Sequence, residues 1–203
     1  MRILFLTQWF QPEPFFKGLP FAAALAARGH DVEVLTGFPN YPGGKVYPGY
    51  RVRFYQRETM DGITVHRVPL YLSHDKSALH RILNYLSFSL SVFSFGTWRV
   101  KKPDVVYVYN LITLGFPAFF LRLLYGCKVV IDITDLWPES VASSRMLHNK
   151  TMLAALNGIC NWVYRRADRL SVVTPGYINE LMRRGVTPEK ISLIFNWCDE
   201  RAI

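Results

Sequence analysis

Short, unbroken apolar runs recur along this chain with helix-like stretches between them, and that alternation constrains its fold more than any other feature. RILFLTQWF (2–10), DVEVLTGF (31–38), DVVYVYN (104–110), KVVIDITD (128–135), RLSVVTP (169–175) and KISLIFN (190–196) are mostly continuous rather than alternating in hydrophobicity. Strands covered on both faces read this way. Separated by helices, they predict an α/β fold with a parallel, doubly wound sheet. RETMDGITVHRVPL (57–70) departs from the pattern, because Asp61-Gly62 between two short runs signals a hairpin. It is expected as an antiparallel excursion at the sheet edge.

The connecting stretches carry helix punctuation. GLPFAAALAARG (18–29) closes on Gly29, so that RGHD reads as a helix stop with His30 near the negative end of the dipole. TPGYINELMRRG (174–185) has Pro just inside its start and Gly185 at its end. Residues 116–125 and 150–167 supply further helices. The 203 residues, 50% hydrophobic and 19% charged, suit one large domain. Cys127, Cys160 and Cys198 lie far apart, without zinc-site spacing, and read as buried thiols in a reducing compartment. The N-terminal apolar run is too short for a signal-peptide core and is expected to be a first strand in a cytoplasmic protein.

A formal net charge of +9 asks for an anionic partner. No recognition helix, RNA-binding aromatic signature or zinc finger is present, so nucleic acid is not expected. Membrane surfaces and phosphorylated substrates remain. From Ile82 to Trp98 no residue is charged, while Lys76, His80 and Arg81 precede the run and Arg99, Lys101 and Lys102 follow it. Asn84, Ser87, Ser91 and Ser94 form a polar stripe opposite Leu83, Leu86, Leu90 and Phe93. Two readings fit: a buried crossover helix, or an interfacial helix docked on anionic lipid through Arg81, Trp98, Arg99, Lys101 and Lys102.

In open α/β sheets ligands bind beyond the carboxyl ends of the strands. Those ends collect Trp9 to Glu13, Phe38 to Tyr41, Asn110, Thr134 to Glu139, Thr174 to Gly176 and Asn196-Trp197. Lys17 and Gly18, where the first strand turns into its helix, could meet an anion through a point charge and a close backbone approach. Neither a G-x-G-x-x-G fingerprint nor a Walker pattern accompanies them, which argues against a nicotinamide enzyme. In VVIDITDLWPES (129–140) the period of two places Asp132 inside the sheet layer, as a structural carboxylate. Asp135 leaves the strand end, either to cap the following turn or to act in the crevice. Glu139 either assists it or caps a helix after Pro138.

GLPFAAALAARGHDVEVLTGFPNYPGG, DLWPES, RRADRLSVVTPG and NWCD, in this order, resemble the N-terminal domain of family 4 glycosyltransferases of the GT-B fold, particularly bacterial enzymes that build O-antigen, capsule or colanic-acid-type polysaccharides. The resemblance implies a Rossmann-like domain, here residues 1–203, that binds acceptor and faces a donor-binding domain. That second domain is not in this sequence, so an excised half, inactive alone, is expected. Transfer would proceed from a nucleotide sugar to a lipid-linked or saccharide acceptor, with retention and no bound metal or other cofactor, at the cytoplasmic membrane face. On the matching positions, Lys17 and Gly18 fall in the donor diphosphate loop and Asn40, Tyr41, Asn110 and Thr134 in the acceptor cleft. Asp135 and Glu139 are the catalytic candidates. Paired loop glycines and a His near Thr134-Asp135, common in the family, are missing. A membrane-associated, non-catalytic subunit of a two-component transferase is the alternative.

Overall fold

The computed structural model describes residues 1–15, 17–73, 77–139 and 150–196, which fall into two compact units, Met1–Val129 and Val130–Ile203. Lys76, Trp197 and Cys198 lie outside the described residues. The first unit holds β1 (Arg2–Leu6), α1 (Leu19–Ala27), β2 (Asp31–Gly37), β3 (Gln56–Met60), β4 (Ile63–Val68), α2 (Ala78–Ser91), β5 (Val105–Tyr109) and α3 (Gly115–Tyr125). Its strands run in the order β3-β4-β2-β1-β5. The β1–β2, β1–β5 and β2–β4 pairs are parallel and only the β3–β4 hairpin is antiparallel. Asp61 and Gly62 turn that hairpin with φ of 46° and 79°, the doubly positive geometry that Asp-Gly tolerates.

Both sheet faces are covered, as continuous hydrophobicity requires. Ile3, Phe5, Val32 and Val34 face one way and pack with Phe21 and Leu25 of α1. Their neighbours Leu4, Leu6 and Leu35 are equally buried on the other face. There the chain beyond α2 comes so close that a Cβ on Gly96 would stand 2.7 Å from a Leu35 methyl. Gly96 ends a π-helical segment, Val92–Gly96, closed by the Thr97 N–H to the Val92 carbonyl at 2.9 Å. A single π turn appended to a helix shifts the phase of the side chains that follow.

The second unit is entered along β6 (Lys128–Ile133) and contains α4 (Lys150–Arg166), β7 (Arg169–Val172), α5 (Pro175–Arg183) and β8 (Ile191–Leu193). Its strands are parallel in the order β6-β7-β8. Thr174 caps α5 by accepting the Tyr177 N–H, Pro175 occupies the first turn, and Gly185 follows with φ of 82°. The α/β architecture and its hairpin match the sequence reading. The strands are shorter than their apolar runs, because residues such as Thr7 to Phe10 stay buried after leaving the ladder.

Candidate functional site

In the first unit the carboxyl ends of β1 and β2 are tied together by a carboxylate. Glu13 is 1% exposed. One of its oxygens accepts the N–H groups of Asn40 and Tyr41 at 2.8 and 2.7 Å, and the other accepts that of Phe10 at 3.1 Å. Burial pushes the Glu13 carboxyl up, against the pull of these three donors and of the Arg67 charge. Arg67, fully buried on β4, donates to the carbonyls of Gly37 and Gln11, pairs with Glu58 and lies 4.9 Å over the Tyr50 ring. Two loops that would otherwise be independent are thus cross-linked by buried charge.

Aromatic rings fill the angle between those loops. Trp9 stacks on Phe15 at 5.0 Å, Tyr41 tilts against Phe15 at 5.0 Å, and Tyr85 of α2 meets Trp9 edge-on. Asn40 turns its side chain inward to the Phe38 carbonyl and is itself buried. Of the two predicted acceptor residues on this loop, Tyr41 therefore offers the more accessible side chain. Asn110 follows β5 in the left-handed region, with φ of 66°, a conformation Asn tolerates better than most residues.

Lys17 is buried, with its ammonium 5.7 Å from the Tyr109 ring centre. Gly18 is the N-cap of α1, but the space beside it belongs to Gln11, whose Oε1 would stand 2.1 Å from a Cβ there. The same Oε1 accepts the Leu19 N–H. The helix end is therefore closed by the chain's own carboxamide, and an anion approaching Gly18 meets Gln11 first.

In the second unit the acidic stretch separates into three environments. Asp132 is 1% exposed and accepts the Ser171 hydroxyl across β6 and β7 at 2.9 Å, the structural role expected of it. Thr134 is half-buried, and its carbonyl accepts the Tyr177 hydroxyl at 3.4 Å. Asp135 is exposed just past the end of β6. Glu139 is held in an ion pair by Arg184, which also bonds Glu180 and the Trp137 carbonyl. The Tyr164 hydroxyl bridges both polar groups of the Trp137 backbone. The turn after β6 is thereby pinned from α4 and from the end of α5, with Asp135 displayed beside it and Glu139 engaged.

Of the predicted membrane contacts, Trp98, Arg99 and Lys102 are exposed and Arg81 is half-buried. Arg99 lies 4.3 Å over the Tyr55 ring, and Lys101 sits 3.2 Å from Glu33. Sequence reasoning missed Arg67, Arg184 and the role of Glu13. The available signal was a charged residue inside or beside an apolar run, VHRVPL for Arg67 and QPEP for Glu13, which folding must supply with partners. Among the described residues no group of three His, Cys, Asp or Glu side chains is arranged to hold a metal ion.

Comparison with known proteins gives this geometry a lineage. The chain is 30% identical over 187 residues to WcaI of Escherichia coli (strain K12), assigned as a colanic acid biosynthesis glycosyl transferase. That alignment takes in 86% of the chain and 44% of the relative, so the chain spans less than half the relative's length. Among solved structures it is similar to sucrose-phosphate synthase from Thermosynechococcus elongatus, with TM-score 0.55, 14% identity, 98% of this chain and 49% of that one covered. The Anabaena protein HepE in complex with UDP-glucose gives 0.55 and 14%, over 98% and 44% of the two chains. Trehalose 6-phosphate synthase from Burkholderia multivorans gives 0.56 and 12%, over 91% and 43%. At these identities the structures speak for the fold. Residues 19–197 match the family described as glycosyl transferase 4-like domain, and the chain belongs to that family.

Proposed function

We propose that this chain is the acceptor-binding part of a retaining glycosyltransferase. The enzyme moves a sugar from a nucleotide-sugar donor to a lipid-linked or saccharide acceptor in bacterial surface-polysaccharide assembly, at the cytoplasmic face of the membrane. The observation that carries this reading is the family match over residues 19–197. The likeness to WcaI supports the polysaccharide context, and the fold shared with HepE, solved with UDP-glucose, supports a nucleotide-sugar donor. Within the chain, Asp135 is the catalytic candidate, because it is an exposed carboxylate beside a turn that Arg184 and Tyr164 hold in place. Its oxygens accept a hydrogen bond from the acceptor hydroxyl and fix its direction of attack. Glu139, committed to Arg184, shapes the turn instead of meeting substrate.

Tyr41 and the rings around it line the acceptor side, and the Lys17–Gly18 segment meets the donor diphosphate once Gln11 withdraws from the helix end. Transfer needs no bound metal in this scheme. The test is sugar transfer from labelled nucleotide sugars to a bacterial lipid extract by the full-length protein. Asp135→Asn is expected to lower kcat by about a hundredfold with the fold intact, and chelation by EDTA to leave the rate unchanged. An Asp135→Asn protein as active as the wild type would return Asp135 to capping the following turn.

A further inference from the structure

The uncharged helix turns its leucines outward. Leu79, Leu83, Leu86, Leu90 and Phe93 recur along α2 and the π segment at helical spacing, and all are exposed, Leu90 by 65%. The face that packs on the unit is different, made of Asn84, Phe88, Ser89 and Val92. A helix of a globular unit normally buries its apolar stripe, so this exposure needs an explanation.

The apolar surface extends beyond α2. On α3, Phe116, Phe120, Leu123 and Leu124 fall at i, i+4, i+7 and i+8, and Leu123 is 81% exposed. Phe120 joins the two helices through ring contacts with Phe93 at 4.5 Å and Trp98 at 5.9 Å. At the π segment Phe95 carries Phe54, which is 76% exposed and belongs to the run Arg51-Val52-Arg53-Phe54, with both arginines exposed. Arg99 and Lys102 are exposed just past Trp98. Apolar side chains thus cover the outer sides of two helices that meet at Phe120, with the exposed cations Arg99 and Lys102 at the Trp98 end. No helix among the described residues is long and apolar enough to cross a membrane.

We infer that the α2–α3 surface is a docking face for an anionic bilayer, with the leucines and phenylalanines entering the acyl boundary and Arg51, Arg53, Arg99 and Lys102 meeting lipid phosphates. This deepens the membrane-face part of the reading above by naming the surface and its partner. Charge favours lipid over a second copy of the chain, because a face bordered by cations repels its own duplicate and attracts anionic headgroups. The geometry suits a helix lying in the interface, polar side toward protein and apolar side toward lipid.

The experiment is co-sedimentation of the full-length protein with vesicles of phosphatidylcholine containing roughly 30% phosphatidylglycerol, and with pure phosphatidylcholine. Binding is expected to the anionic vesicles, to weaken when salt rises from about 0.05 M to about 0.5 M, and to fall at least about tenfold in Leu83→Ser/Leu90→Ser. Both leucines are exposed, so far-UV circular dichroism of that variant is expected to match the wild type. A second variant, Arg51→Gln/Arg53→Gln, is expected to weaken binding to anionic vesicles alone. Absence of vesicle binding at low salt would overturn the inference, as would equal binding by the leucine variant. A concentration-dependent dimer that the leucine variant abolishes would also overturn it, by assigning the face to a second copy. Because partition is read without any transfer reaction, a catalytically silent protein that still binds vesicles would sink the enzymatic reading and leave the docking face standing.

Discussion

Arg67→Lys separates geometry from charge at the junction of the two loops that leave β1 and β2. The arginine is fully buried, and its three nitrogens reach three places at once: the Gly37 carbonyl at 2.9 Å, the Gln11 carbonyl at 2.5 Å and the Glu58 carboxylate. A lysine carries the same charge on a single point and cannot span them. Satisfying Glu58 leaves the carbonyls of Gly37 and Gln11 without their donors. At about 1.5–3 kcal/mol for each hydrogen bond from a charged group, the gross loss is about 3–6 kcal/mol. Rebonding of the ammonium and the carbonyls recovers part of it, for a net cost of about 3 kcal/mol. Total stabilities run at about 5–15 kcal/mol, so the loss is a large share.

The assay is urea denaturation of wild type and Arg67→Lys, followed by circular dichroism. With a slope of about 2–3 kcal/mol per molar, the midpoint is expected to fall by about 1 M. Arg53→Lys, at an exposed position, serves as the control and is expected to stay within about 0.5 kcal/mol of wild type. Hydrogen exchange adds a local readout, in which the segments around Gln11 and Gly37 are expected to exchange faster. An Arg67→Lys midpoint within about 0.2 M of wild type would refute the reasoning, since it would mean that charge alone, wherever placed, holds the loops.

The remaining predictions concern acid stability and the closed helix end. Glu33 is buried; burial alone would raise its carboxyl, but His66 and Lys101 outweigh that and hold it at about 2 instead of the ordinary 4.5. A depressed folded value means stability present above about 4.5 and lost as the pH falls toward 2. Glu33→Gln is expected to flatten that acid limb in denaturation curves measured from neutral pH downward; an unchanged limb would discard the linkage. Gly18→Ala is expected to evict the Gln11 carboxamide and strip the Leu19 N–H of its acceptor, costing about 1 kcal/mol by analogy with a lost helix cap. Thermal denaturation measures it, and a Tm equal to wild type would show that the end has another acceptor at hand.

The elements were legible because their cause is local. Continuous apolar runs predict strands covered on both faces, and Ile3 with Phe5 on one side and Leu4 with Leu6 on the other fulfil that directly. The Asp61-Gly62 turn was legible for the same reason, since two residues with positive φ leave few other choices. Asp132 could be assigned from strand period alone, and it bonds Ser171 in the sheet layer. The anchors of the site were not legible, because their partners are main-chain atoms contributed by distant loops. Glu13 holds Asn40 and Tyr41, Arg67 holds Gln11, and Arg184 holds Trp137. Sequence could flag each as a charge in or beside an apolar run; only folding supplies the carbonyl or N–H it meets. The split between Asp135 and Glu139 has the same origin, for nothing in DLWPES announces Arg184.

Helix α2 shows where periodicity stops short. Its polar stripe and its leucine stripe were both plain in sequence, yet period alone cannot say which stripe faces the sheet. The structure buries Asn84 and exposes the leucines, and the physical reason lies in what each side can bond. Asn84 accepts from the Gln8 carboxamide and donates to the Tyr71 carbonyl, Ser87 accepts the Tyr71 N–H, and Ser89 donates to the Thr113 carbonyl. Phe88 and Val92, both fully buried, supply the apolar contact on that side. Turning the helix to bury its leucines would strip those partners from buried polar groups, at about 1–3 kcal/mol each. With at least three such groups involved, that cost competes with the burial of several leucines at about 1.5–3 kcal/mol each. Cover by anionic lipid, as inferred above, would settle the competition, since the leucines would then be buried without the polar bonds being broken. The same tether fixes where the docking face stands: Asn84 is bonded to Gln8 and Tyr85 rests on Trp9, just beyond the carboxyl end of β1. The helix that carries the proposed docking face is thus anchored to the loop that carries Trp9 and its ring neighbours.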